Sequence, residues 1–523
     1  MFNGIWLVTM HIQPENEVEA YKKSLRERGE KLEISEVLPP PIPAESNGVA
    51  LMRSAFALFN SSPDGWTNWP PAMRMIAPGK AMTGWMQPDL RDDLFTNSWE
   101  NAVTTAEASR PAMELLREAT AYPAIDFQLE YLKGDEMLLT HLSSLRQSAH
   151  ILSAAAMCDL HNGNIASAMT NLCTLLALIQ RIHEERNVIS QSVRIAMVQI
   201  AITANWELLQ TPSATDSELA SLQTSWERLD FIKSLENSFL MQRASTENTI
   251  AKMRSSRTEF DRIMKIYSGF GASSGSGGSS SPVSSGNWLD DFNNYAKDGV
   301  QKAKFATTAS MWRNSWTYSD ELNALRNYQD TLEALRLIET NQVFQPAYSN
   351  LMNQLYPGGY SRLYHSNGVA GFYDEIWHGL DDMNLREFFS GYAGYSLSSI
   401  RKAMTAEAAK RIVITAIALK RFQLKHGHFP ERLSELTPEF LSSPIDPVDG
   451  SPLRYRRNGD GTFLLYSIGE NGVDDGGDPN SMPAAGSYFN WQGNKVRDWV
   501  WPQPATAEEV QVYYEEQARK SKR

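Results

Sequence analysis

The sequence predicts a mostly α-helical protein that ends in a small α+β module. Two patterns carry this reading. Apolar residues recur every three or four positions through the middle of the 523 residues, and near the C-terminus that period gives way to two short alternating segments set between Gly, Asp and Pro. At about 150 residues per domain, a chain of this length holds two or three cores. A hydrophobic content of 42% with 21% charged residues is that of a folded chain.

Residues 1–110 are rich in Pro, Trp and Met without a regular period, as in LPPPIP at 38–43 and WTNWPP at 66–71. Proline clusters disfavour helix, so the expectation is an irregular region that wraps over its neighbour through extended connections. The apolar run 5–10 is far shorter than the roughly 20 residues of a membrane span. It also lacks a basic lead and a small-residue cleavage site, so the sequence shows no signal peptide and no transmembrane segment. Membrane association would require an anchor of which this run is the remnant.

Residues 111–400 read as a helical domain. Leu145, Ala149, Leu152, Ala156 and Leu160 line one helix face, and Ile165, Met169, Leu172, Leu176 and Ile179 line the next. Between them Gly163 supplies a stop and Asn164 an N-cap. Ile189, Val193, Met197 and Ile200 begin a third helix. Helices of this length around a Gly turn resemble a tetratricopeptide hairpin, yet no second copy follows at a period of about 34 residues, so an irregular helical bundle is expected. A further helix runs through Leu222, Trp226, Leu229, Ile232 and Phe239 towards Tyr267. The Gly/Ser-rich tract 268–286 is too polar to pack and interrupts the domain as a flexible segment. Helical period returns at Leu322, Leu325, Tyr328, Leu332 and Leu335, and residues 341–400 carry loop signals among aromatics.

Residues 401–500 form the terminal module. Met404, Ala408, Ile412, Thr415, Leu419 and Phe422 share a helix face that Gly427 and Pro430 close. Leu433, Leu436 and Phe440 suggest a short second helix. Residues 453–456 and 463–467 read as strands of a hairpin turning at 458–461, giving a small antiparallel sheet. Residues 501–523 are a tail whose basic end, from Arg519, reads as solvated.

A net charge of −12 argues against a nucleic-acid-coating role, which needs a basic footprint. The two cysteines, Cys158 and Cys173, exclude a disulfide scaffold and a Cys-rich zinc site. On antiparallel helices they sit roughly 9 Å out of register, and two buried free thiols are expected. No HExxH, GxSxG, Walker or dinucleotide motif occurs, so no catalytic residue is assigned. His183, Glu184 and Glu185 read as one solvated helix face, and His426 and His428 as caps of a helix end. Asp290 with Asp291, and Asp381 with Asp382, read as solvated turns.

The stretch ALKRFQLKHGHFP, followed by L-x-x-L, DP-x-DG, L-x-Y and LYS-x-G-x-NG, resembles the C-terminal domain of the type II secretion major pseudopilin. The resemblance spans about residues 401–500. The whole layout resembles large envelope-type proteins of planctomycete and verrucomicrobial bacteria. In the pseudopilin family the loop after the last strand binds calcium. Carried over, this implies Asn471, Asp474, Asp475, Asp478 and Asp498 as oxygen ligands, with Ca2+ as the cofactor. The alternative is that these acids solvate a Gly-rich turn, and the insertion 479–494 would part the two acidic sets. The internal helix carries Lys410, Arg411, Lys420 and Arg421, unlike a pilin stem. The expected function is a non-enzymatic structural or protein-interaction component of the bacterial envelope or periplasm, possessing a protein partner. The rival is an extracytoplasmic hydrolase centred on His365, Asp374, Glu375 and His378.

Overall fold

The computed structural model describes residues 2–60, 72–91, 96–271, 310–355, 388–390, 393–480 and 497–520. Among these the chain is mostly helical, with a small C-terminal sheet, as the sequence predicts. The hairpin α5 (Leu142–His161) and α6 (Ile165–Arg181) forms the centre. Leu145, Ala149, Leu152, Ala156 and Leu160 are all buried, as are Met169, Leu172, Leu176 and Ile179. Gly163 adopts φ +75°, the left-handed stop that a Cβ disfavours. Asn164 makes no side-chain cap. Helix α7 (Val188–Leu209) packs on both, with Asn187 capping it through its side-chain oxygen. Of the expected face, Met197 is fully buried and Val193 and Ile200 pack partly buried against the core, while Ile189 is exposed and Val188, Ile195 and Val198 are buried in addition.

The long helix expected from Leu222 to Tyr267 is three helices, α8 (Asp216–Glu227), α9 (Ile232–Ser255) and α10 (Arg257–Gly271). Each break has a local cause. The Asp230 carboxylate accepts the amide of Ile232 at 3.2 Å, and Ser256 Oγ accepts that of Glu259 at 3.4 Å, so both residues start new helices. Next come α11 (Thr317–Asn341) and α12 (Gln345–Leu355). Leu322, Leu325, Leu332 and Leu335 are buried on α11 as anticipated.

The N-terminal hundred residues are more regular than expected. They hold α1 (Phe2–Glu27), α2 (Val49–Asn60) and the hairpin β1 (Arg74–Ala77) and β2 (Lys80–Met82). The two-residue strands β3 (Leu90–Arg91) and β4 (Thr96–Asn97) follow, then α3 (Trp99–Ala108) and α4 (Arg110–Ala121). Helix α1 docks through Val18, Tyr21 and Leu25 onto Tyr318, Leu322 and Leu325 of α11, a small cluster apart from the main core. The proline-rich segment 38–43 is irregular.

Helix α13 (Ala393–His426) carries the expected face, with Met404, Ala408, Ile412 and Leu419 fully buried, and packs against α7 and α8. Lys410 is buried too, donating to Glu407 and to the Leu229 carbonyl at 2.8 Å. A 3-10 turn at Leu433–Leu436 replaces the short second helix. Strands β5 (Arg454–Arg457), β6 (Phe463–Ser467) and β7 (Trp499–Val500) form an antiparallel sheet in the order β5-β6-β7. Beyond it, β8 (Gln503–Pro504) pairs in parallel with β2, so the C-terminal segment closes on the N-terminal hairpin. Helix α14 (Ala507–Lys520) lies on the surface, with no fully buried residue. Both cysteines are free, Cys158 buried and Cys173 only half-buried against Ser225. No helix among the described residues is long and apolar enough to cross a membrane.

Candidate functional site

Of the five residues singled out as cation ligands, Asn471, Asp474, Asp475 and Asp478 lie on one loop, and Asp498 meets that loop through its backbone amides. After β6 the chain turns through Gly469 and Gly472, both at positive φ, and reaches Gly476 and Gly477 at φ +76° and +80°. At this positive φ a Cβ on Gly477 would be strained and would lie 2.8 Å from Leu464 Cδ2, so glycine favours the loop's close approach to β6. Asp498, at the entrance to β7, then closes the loop from the far side. It is fully buried, and its carboxylate accepts the amides of Gly477 at 2.7 Å, Asp478 at 3.2 Å and Asp475 at 3.4 Å. The insertion 479–494 therefore does not part the two acidic sets, because its two ends meet: the Asp498 amide donates to the Asp478 carbonyl at 3.2 Å.

The other four serve the same closure. Asp474 Oδ1 accepts the Tyr466 hydroxyl at 2.9 Å and the Gly476 amide at 3.0 Å. Asp478 accepts from Asn480 and, at 2.7 Å, from Arg497. Asn471 Nδ2 donates to Asp475 at 2.9 Å. The backbone amides hold Asp474 and Asp478 below the usual carboxylate range. Burial outweighs the three amides at Asp498 and pushes it up to about 6. Beneath the loop lies Asp446, the first Asp of the DP-x-DG motif. Its buried carboxylate takes the Val448 and Ile468 amides, the Ser467 hydroxyl and Arg454, tying the DPVDG turn to the end of β6. Among the described residues no group of three or more His, Cys, Asp or Glu is arranged to hold a metal ion.

The histidines behave differently from one another. His183 and Glu184 pair at 3.0 Å and are half-exposed as expected, but they lie in the turn that follows α6 and not on a helix face. Glu185 instead turns inward and meets buried His141 at 2.8 Å, under the stacked ring of Phe127. This pair borders a polar seam at the α6–α7 corner, where Arg194 is fully buried and donates to Gln191 and Ser234. One oxygen of Glu185, Ser190 Oγ and Arg194 Nη2 have no hydrogen-bond partner there. Neither His426 nor His428 caps the end of α13 through its side chain: the Gly427 amide meets the Gln423 carbonyl, His426 lies against Phe422, and His428 Nδ1 bonds the Phe429 carbonyl. His365, Asp374, Glu375 and His378, the tract 272–286 and the pairs at 290–291 and 381–382 lie outside the described residues.

Two further buried carboxyls escaped the sequence reading. Glu207, on α7, accepts the amides of Met73 at 2.6 Å and Gly84 at 2.7 Å. Asp320, on α11, accepts the Phe389 and Ser390 amides and the Trp312 indole. Burial pushes Glu207 up to about 8 and Asp320 up to about 6. Their partners lie far away in sequence, and no local motif announces them. No family model, curated protein or solved structure matches this chain.

Proposed function

We propose that the chain is a non-catalytic, protein-binding component of the bacterial cell envelope, presenting an apolar contact surface on a rigid helical platform. One observation carries this. Val37, Tyr131 and Met137 pack in one small cluster with Ile34, Met241 and Ala244. The residue that follows each of the three is an exposed leucine: Leu38, Leu132 at 67% and Leu138 at 76% exposure. Arg186 ties this junction together, its amide meeting the Tyr131 hydroxyl at 3.0 Å and its guanidinium the Val37 carbonyl at 2.8 Å. Exposed Ile189 lies three residues further on. Exposed apolar side chains on chain segments that pack against one another support a contact site there.

The test is a Leu132→Glu, Leu138→Glu double variant. Both side chains are already in water, so its melting temperature matches that of the wild type. Partner capture from an envelope extract, read by quantitative mass spectrometry, is lost. An identical set of captured proteins for both chains refutes the reading.

The envelope placement rests on the secretion-type resemblance, and the order of α13, the 3-10 turn, β5, β6, the acidic loop and β7 supports it. Calcium belongs to the same reading as a stabiliser of the loop that Asp498 closes. A ligand bound only by the native state raises the melting temperature. The expected result is a rise at about 1 mM Ca2+ that a chelator reverses and that Asp474→Asn with Asp478→Asn abolishes. An unchanged melting temperature removes calcium and leaves the protein-binding proposal standing.

A further inference from the structure

We propose that His426 and His428 form a two-imidazole site for a borderline divalent transition metal such as Zn2+, Ni2+ or Cu2+, at the C-terminal end of α13. The chain geometry makes the pair. His426 is the last residue of the helix, Gly427 turns the backbone at φ +80°, and His428 comes back beside it. The two ring centroids are 6.4 Å apart. With metal–nitrogen bonds of about 2 Å, two ligating rings have centroids about 5 Å apart around a tetrahedral ion and about 6 Å apart around a linear one, so side-chain rotation that draws these exposed rings together by about 1 Å brings both onto one ion.

Both rings are exposed, yet both are positioned. Phe422, 6% exposed, has His426 tilted against it at 4.2 Å and His428 edge-on at 6.0 Å. Phe440 flanks His426 at 6.5 Å. The Phe429 carbonyl can only accept, so at 2.9 Å it fixes the proton of His428 on Nδ1 and leaves the Nε2 lone pair outward. A carbonyl on the distal nitrogen is the usual support of a ligating histidine. The site also sits at the negative end of a 34-residue helix, which favours a cation. The cationic side chains nearby are engaged: Lys425 with Glu439, and Arg421 with Asp216 at 2.8 Å, each over the Phe440 ring. Imidazole suits Zn, Ni and Cu and is a poor partner for calcium. Water, or a group from a bound protein, completes the coordination.

The experiment is calorimetric titration of the full chain with ZnCl2, beside His426→Ala, His428→Ala and the double variant. Because both rings are at the surface, all three variants fold. The expected result is one site per chain, weakened more than about tenfold in either single variant and absent in the double. Affinity falls on acidification, since a ligating imidazole must be neutral. Electron paramagnetic resonance of the Cu2+ form shows hyperfine coupling to two nitrogens in the wild type and to one in each single variant. Zn2+ binding that persists in the double variant, no binding by the wild type, or Cu2+ coupling unchanged by the substitutions overturns the proposal. Excess Ca2+ does not compete, which separates this site from the acidic loop.

Discussion

Replacing Glu207 with alanine lowers the stability of the protein by about 2–6 kcal/mol, because it removes the acceptor of two buried amides, each costing about 1–3 kcal/mol when left unpaired. The carboxylate is fully buried, and its Oε1 holds both Met73 and Gly84, the residues that bracket the β1–β2 hairpin. Met73 sits at φ +47°, a conformation that persists only where its surroundings impose it. The neighbour of Glu207, Trp206, donates to the Pro502 carbonyl at 2.8 Å, so the end of α7 anchors both the hairpin and the strand β8 that pairs with it. Urea unfolding measures the loss. Hydrogen exchange locates it, with the Met73 and Gly84 amides exchanging faster in Glu207→Ala and remaining protected in Glu207→Gln, which keeps an oxygen in place.

The same residue sets a pH dependence of definite sign. Burial raises the folded carboxyl from 4.5 to about 8. Below about pH 4.5 it is protonated in both states and contributes no slope. Between there and about pH 8 only the unfolded chain has released the proton, so stability falls as pH rises. Above that the loss levels off at about 5 kcal/mol. Glu207→Gln removes this slope. A variant whose stability falls with pH as steeply as the wild type shows that Glu207 is not the group responsible.

What could be read in advance follows from where the information lies along the chain. The buried faces of α5, α6, α11 and α13 are local periods, and a turn and an alternation mark the strand 463–467 to the residue. Helix α1 is hard to read although Val18, Tyr21 and Leu25 have helical spacing, because Pro14 and the charged residues around them hide the stripe. The breaks before α9 and α10 were legible in Asp230 and Ser256, and the apolar period overrode them. The buried charges are a different case. Glu207 meets residues 123 and 134 positions away, and Glu30 meets Arg243 across 213, so nothing in their own surroundings separates them from solvated acids. The acidic loop is singled out only by the pseudopilin resemblance, and the role of Asp498 as acceptor for the loop's own amides needs the fold.

Arg243→Met is expected to cost about 3–5 kcal/mol, the penalty for stripping one partner from a buried ion pair. Arg243 is 0% exposed and donates to Glu30 at 2.8 Å, to Gln329 at 2.6 Å and to the Lys31 carbonyl at 2.8 Å. Arg336 grips the other oxygen of Glu30 at 2.5 Å and reaches Glu236 at 2.8 Å, so one carboxylate joins the turn after α1 to α9 and α11. Burial alone would raise Glu30, but the hydrogen bonds of Arg336, Arg243 and Gln329 prevail and hold it at about 2. A depressed carboxyl contributes stability that is present above its unfolded value of 4.5 and is lost as pH falls towards 2. The wild type therefore weakens across that acid window, and Arg243→Met shows a shallower slope there. The double variant Glu30→Gln, Arg243→Met recovers part of the loss, because most of the penalty belongs to the carboxylate left half-paired rather than to the missing guanidinium. Since α1 otherwise rests on a small apolar cluster and on Lys22, which bridges Glu247 and Glu321, its amides are the first to lose exchange protection in the single variant. A single variant within about 1 kcal/mol of the wild type, or a double variant less stable than the single, contradicts this account.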